Sequence, residues 1–329
     1  MTLREVDYDA ARNGVQLAIR RGDVELALCA LRIAWSHEPS KPWLMWHLPM
    51  KVLAEVWYLI PYLVNLKDVA PEHSYAVLEQ FIKMAAGCKS SRDVSSLIRV
   101  VLLVKTLTLE RFLMGKTDSP APADAYLKHP EYVKMISSLE LGPDGFLEQN
   151  PRKFTKFEQQ ALDYLKERAY GQGLMQHKYV LMSAIVLLTM RGISEKAVKE
   201  RVEVVKALPD PEVKKEPLPW FCYTPPCDAS GTILKAISGG EDFIKVGKRK
   251  VTLQQAEIMW TCFEGEISDI EETGPENLKP TCFETLWQKC LVDSYGVIGS
   301  LSVEETKAVW ADLRPMVQEA TETFCKEAQ

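Results

Sequence analysis

The segment from Ala18 to Trp57 constrains this chain most, because its apolar residues recur at the period of a helix and at no other. Asp23 follows Gly22 and precedes an apolar run, which predicts an N-cap. Beyond it Leu26, Ala27, Ala30, Leu31 and Ala34 fall on one helical face. Pro39 and Pro42 end that helix and open the next, since proline suits a first helical turn. Trp43, Trp46, Met50, Leu53 and Trp57 then follow at steps of 3, 4, 3 and 4, as one continuous stripe. Pro49 lies within it and predicts a bend, because it removes a backbone donor and crowds the preceding turn. Aromatics at this spacing read as a core face rather than as a platform for stacking bases.

The same period predicts helices over 71–86, 91–113, 130–139, 154–170, 173–190 and 194–208. Residues 115–124 read as an exposed loop. Residues 208–219 hold four prolines among charged residues and are the expected linker. The chain changes character beyond it. Asp228 is expected to cap a short helix to Ser238. The residues from Phe243 to Val251 predict a β-hairpin. Thr252 with Gln255 forms a capping box opening a helix to about Ser268, and Ser302 with Glu305 forms a second. The last helix has Val309, Leu313, Met316, Val317, Ala320 and Phe324 on its apolar face, with Pro315 as a kink. No fixed repeat of 20 to 50 residues is present, so a regular solenoid is not expected. The fold class is all-α: a multi-helix antiparallel array with one small β-hairpin in the C-terminal third. The expected organisation is a helical domain over 1–207, the linker 208–219, and a smaller helical domain with the hairpin over 220–329.

Composition narrows the function. With 329 residues and 47% hydrophobic content, the chain has material for a large core. A net charge of −5 argues against wholesale coating of nucleic acid but leaves room for a local basic patch. The first nine residues are acidic and lack the apolar region of a secretory signal. The longest apolar run, from Tyr179 to Met190, falls short of the roughly 20 residues of a membrane span. A cytoplasmic protein without a membrane partner is expected, with its eight cysteines reduced.

Chemical motifs are sparse. Cys222 and Cys227, and Cys282 and Cys290, are poorly spaced for zinc, and the thiols read as small buried hydrophobes. No His-x3-His pair occurs among the five histidines, so no metal is expected. Gly115, Lys116 and Thr117 form only the tail of a phosphate-binding loop. The earlier glycine that loop needs is replaced by Glu110, whose carboxylate would repel a phosphate. No nucleophile elbow is present. No cofactor is expected, and the chain reads as a non-enzyme. The prolines Pro225 and Pro226 between Cys222 and Cys227 leave a dispersed enzymatic site there as the remaining catalytic reading, but a reactive thiol needs a base or cation nearby.

Two basic clusters stand out. Arg191, Lys196, Lys199 and Arg201 flank Gly192, diluted by Glu195, Glu200 and Glu203. Lys245, Lys248, Arg249 and Lys250 occupy the tip of the predicted hairpin. Cations on a protruding turn reach phosphates and release counterions, so these four are the candidate nucleic-acid contacts. The competing reading is a charged sheet edge that avoids pairing.

The helix begun at Asp23, preceded by Arg21 and Gly22, the second helix through Leu48, and the pair Glu55 and Val56 together resemble the helical C-terminal half of replication-associated recombination ATPases of the MgsA type, relatives of the clamp loaders. In that family a Glu-Asp-Ile/Val-Gly element closes the second helix. Glu55 matches its second acid and Val56 its branched residue, whereas Ala54 and Trp57 depart from the first acid and the glycine. The resemblance covers about the first hundred residues. It implies a collar-like helical domain that oligomerises or docks on an AAA+ ATPase subunit, without the ATPase module. The expected function is therefore a non-enzymatic accessory protein of DNA replication or repair, with DNA, an ATPase subunit or further copies of the chain as partners. The alternative is a helical scaffold for protein partners with no nucleic-acid role.

Overall fold

The computed structural model describes residues 3–37, 41–63, 66, 69–88, 91, 93–94, 97–98, 130–170, 175–207, 218–225, 227–261, 263–264 and 303–327. These residues form an all-α fold with one two-stranded antiparallel sheet in the C-terminal third. Most of the helix predicted over 91–113, the loop 115–124 and most of the linker lie outside the described residues.

The chain divides into two compact units. The first is made of Met1–Leu44, Pro211–Lys279 and Leu291–Gln329, and the second of Met45–Asp210 and Pro280–Cys290. This differs from the expected split at 208–219, because residues 1–44 group with the C-terminal third.

In the first unit, α1 (Leu3–Arg21) and α2 (Val24–Ser36) form an antiparallel hairpin. Gly22 makes the turn at φ 72°, a conformation that side chains with a Cβ disfavour. Asp23 caps α2 as expected, its carboxylate accepting from the Leu26 N–H at 2.9 Å. Ala27, Leu28, Ala30, Leu31 and Ala34 are the buried face. The α1 helix also packs on a single 3-10 turn, Trp220–Tyr223. Asn13 donates to the Thr224 carbonyl at 2.9 Å, and Gly14 lets Cys222 approach so closely that a Cβ there would sit 3.1 Å from its Sγ. Next comes α10 (Ala229–Ser238), which begins where Asp228 predicted, although Asp228 is helical and makes no side-chain cap. The strands β1 (Phe243–Val246) and β2 (Arg249–Thr252) lead into α11 (Leu253–Trp260). The capping box of Thr252 and Gln255 is complete, with both reciprocal hydrogen bonds formed. Helix α12 (Val303–Glu327) runs through Pro315 and buries Val309, Trp310, Leu313 and Val317.

Arginines tie these pieces together. The Arg21 guanidinium lies 3.9 Å from the Phe221 ring centroid and donates to the Glu264 carbonyl. The buried Glu264 carboxylate accepts from Trp310 and pairs with Arg314 at 2.6 Å. Trp220 stacks on the fully buried Trp260.

In the second unit, α3 (Lys41–Glu55, whose first residues belong to the first unit) continues through Pro49 and stops at Glu55. Val56 leaves the helical region, at φ −135° and ψ 55°. Trp57 therefore starts a separate 3-10 turn, Trp57–Leu59, and the expected stripe breaks before its last member. Met50, Leu53 and Trp57 are nevertheless all buried, as a core face requires. Then follow α4 (Ile60–Leu63), α5 (Ser74–Gly87), α6 (Pro130–Gln149), α7 (Lys156–Tyr170), α8 (Met175–Arg191) and α9 (Glu195–Lys206). Within α6 the helical backbone is interrupted at Gly142 (φ 70°, ψ 178°), close to the expected end at 139, and a further helical segment runs from Pro143 to Gln149. Helix α8 packs against α6 and α7, and α9 against α5.

Glu158 is the polar centre of the α7–α8 contact. Thr155 and Glu158 cap α7 reciprocally, and Glu158 also accepts from the Ile193 N–H at 2.9 Å and from Arg152 at 2.6 Å. Arg152 donates onward to the carbonyls of Leu188 and Thr189. Burial pulls the Glu158 carboxyl up, but these hydrogen bonds and the Arg152 charge outweigh it and hold it below the usual value.

Candidate nucleic-acid interface

The expected cations sit on a real hairpin. Its register pairs Phe243 with Thr252, Ile244 with Val251, Lys245 with Lys250, and Val246 with Arg249. Gly247 and Lys248 form the two-residue turn, and Gly247 has φ 58°, the left-handed region that tight hairpin turns demand. Ile244, Val246 and Val251 are buried, so one face of the hairpin packs inward, where β1 meets α10, α11 and α12.

Residues opposite each other across a ladder share a face, so the register sorts the cations. Lys245 and Lys250 stand on the outer face with Phe243 and Thr252. Arg249 shares the inner side with Val246 and reaches α12, pairing with Glu305 at 3.3 Å. Lys248 is at the turn. All four are exposed, but they do not form a single surface. The Lys250 ammonium rests 4.1 Å from the Phe243 ring centroid, which fixes its direction. Among the described residues, Lys245 and Lys248 have no ion-pair partner.

The second cluster is consumed internally. Arg191 pairs with Asp93 at 3.1 Å and with Glu131 at 3.4 Å. Lys199 pairs with Glu195 at 2.7 Å and Lys196 with Glu200 at 3.9 Å, both along one turn of α9. The Arg201 guanidinium lies 5.4 Å from the Tyr58 ring centroid. Two of the acids that diluted this cluster in sequence, Glu195 and Glu200, are partners of its lysines in space.

The thiols around Pro225 lie in the interior. Cys222 and Cys227 are both buried and both unbridged. Burial raises the Cys222 thiol strongly and lifts that of Cys227 to about 11. Among the described residues no group of three or more His, Cys, Asp or Glu side chains is placed to hold a metal. Among them, too, no helix is long and apolar enough to cross a membrane.

Two functional-looking groups escaped the sequence reading. Thr155 with Glu158 is the same capping-box pattern recognised at Thr252, and it carried the signal for the buried Glu158 centre. The apolar cavity of about 550 Å³ between α4, α5 and α9 carried none, because its lining comes from three separate segments.

Comparison of the chain with protein-family models, with curated proteins and with solved structures gave no match.

Proposed function

We propose that this chain is a non-enzymatic accessory protein of DNA replication or repair, and that the outer face of its hairpin contacts the phosphate backbone. The observation that carries the reading is Lys245 directly opposite Lys250. Like charges so placed repel and weaken the ladder. A phosphate bridging the two ammonium groups would convert that cost into attraction. Lys248 extends the positive edge around the turn, and Arg249 flanks it while held by Glu305. Docking on an AAA+ ATPase subunit, or self-association, rests on the resemblance carried by Asp23, Glu55 and Val56. The capping role of Asp23 and the full burial of Glu55 and Val56 are compatible with a shared helical scaffold.

The test is fluorescence anisotropy of labelled single-stranded, duplex and forked DNA at low and near-physiological salt. Wild-type protein should bind, with affinity falling steeply as salt rises. The triple variant Lys245→Glu, Lys248→Glu, Lys250→Glu should lose that binding with its circular dichroism unchanged. Equal binding by the variant would refute the hairpin assignment.

A second reading, a scaffold for protein partners alone, is favoured by one observation. Val204 on α9 is 67% exposed, an apolar side chain presented among charged neighbours. On that reading DNA fails to bind at low salt, and Val204→Asp abolishes capture of a protein partner.

A further inference from the structure

The cavity in the second unit lies between α4, α5 and α9. Its floor is apolar, formed by Leu66, Phe81, Met84 and Val205. Its polar lining is Tyr62, Gln80, Lys83 and Lys206, all of which offer hydrogen-bond donors. Among the described lining residues there is no carboxylate. At about 550 Å³ it falls within the range of small-molecule sites, and an apolar body with a few convergent polar groups is their usual composition.

Lys206 is two-thirds exposed and bonded to the equally exposed Glu203 at 2.8 Å. Such a surface pair is weak and readily exchanged for another anion. Burial raises the Tyr62 pKa, the Lys206 and Lys199 charges oppose the rise, and Glu203 adds to it. Lys206 stands in the last turn of α9, where its charge offsets the negative helix end that would otherwise repel an anion.

We propose that this cavity binds a linear aliphatic carboxylate, its chain over Leu66, Phe81, Met84 and Val205 and its headgroup at Lys206 and Tyr62. The site is independent of the hairpin and of the DNA reading. Each methylene that enters the cavity should tighten binding about three- to fourfold.

Isothermal titration calorimetry of the full chain with octanoate, decanoate, dodecanoate and decanol tests it. Expected are saturable binding near one equivalent, affinity that climbs with chain length, and decanol at least tenfold weaker than decanoate. Lys206→Gln should weaken decanoate by about tenfold, while Glu203→Gln, which frees Lys206, should tighten it severalfold. Gln80→Trp, at an exposed position on the mouth, should block binding with the thermal midpoint unchanged. Decanol equal to decanoate, indifference to Lys206→Gln and Glu203→Gln together, or absence of saturable binding would each overturn the assignment.

Discussion

A Cβ added at Gly87 would lie 2.6 Å from Cγ1 of Val205 and 2.8 Å from its Cγ2. Helices α5 and α9 therefore meet with no room for a methyl group, and Val205 is buried at that meeting. Gly87→Ala should destabilise the chain by about 1–3 kcal/mol through overpacking, read as a lower urea midpoint with unchanged slope. Adding Val205→Ala should recover part of the loss, because the pair shares one contact. Simple additivity of the two changes would show that the contact is not the cause.

Lys245→Glu should move stability and binding in opposite directions. Facing Lys250, a glutamate exchanges cross-strand repulsion for attraction, a gain of about 0.2–1 kcal/mol. The same change should lower DNA affinity and reduce the slope of log affinity against log salt by about 1. A loss of both would mean that Lys245 is structural.

Glu158 should dominate acid sensitivity at the α7–α8 contact. Its carboxyl titrates below its unfolded value, so its contribution is fully present above the unfolded value and is lost as pH falls through the folded one. Glu158→Ala leaves Arg152 and two backbone donors without their acceptor and should cost about 3–5 kcal/mol near neutrality. Urea titrations of wild type and variant between pH 7 and pH 3 should converge at the acid end. Parallel curves across that range would contradict the assignment.

Native Cys227 should alkylate slowly. With its thiol lifted to about 11, roughly one molecule in a thousand carries the thiolate at pH 8. Cys222, buried more completely, should be slower still, and the partly exposed Cys29 and Cys325 should react ahead of Cys88, Cys222 and Cys227. Peptide mass spectrometry after timed iodoacetamide treatment gives the order. Rapid labelling of Cys222 or Cys227 would reopen the catalytic reading of that segment.

Much of the fold was legible in the sequence because it is written in local signals. Asp23, Thr252 and the apolar periods announce where helices start and which faces they bury. The hairpin was legible from Gly247 and its flanking branched residues. What escaped depends on partners distant in the chain. The outward pairing of Lys245 with Lys250, and the capture of Arg249 by Glu305, follow from a register and from a helix more than fifty residues away. The dilution of the second basic cluster by Glu195 and Glu200 was legible, but the pairing of Arg191 with Asp93 and Glu131 was not, because those acids are remote in sequence. The break at Val56 was hidden because Trp57 stays buried on either side of it, so the apolar period carries no mark of the change.

The first unit is completed by the last third of the chain, and this sets a schedule for synthesis. Helices α1 and α2 emerge before the rest of their unit, and the 3-10 turn that α1 packs against, with Cys222 against Gly14, lies some two hundred residues downstream. At the usual 5–20 residues per second, the apolar faces of that first helical pair wait on the order of 10–40 s for their partners. The second unit, from Met45 to Asp210, is nearly all translated in that interval. A ribosome stalled anywhere between Ser36 and Trp220 thus holds a chain with an orphaned helical pair, the substrate a holdase chaperone would recognise.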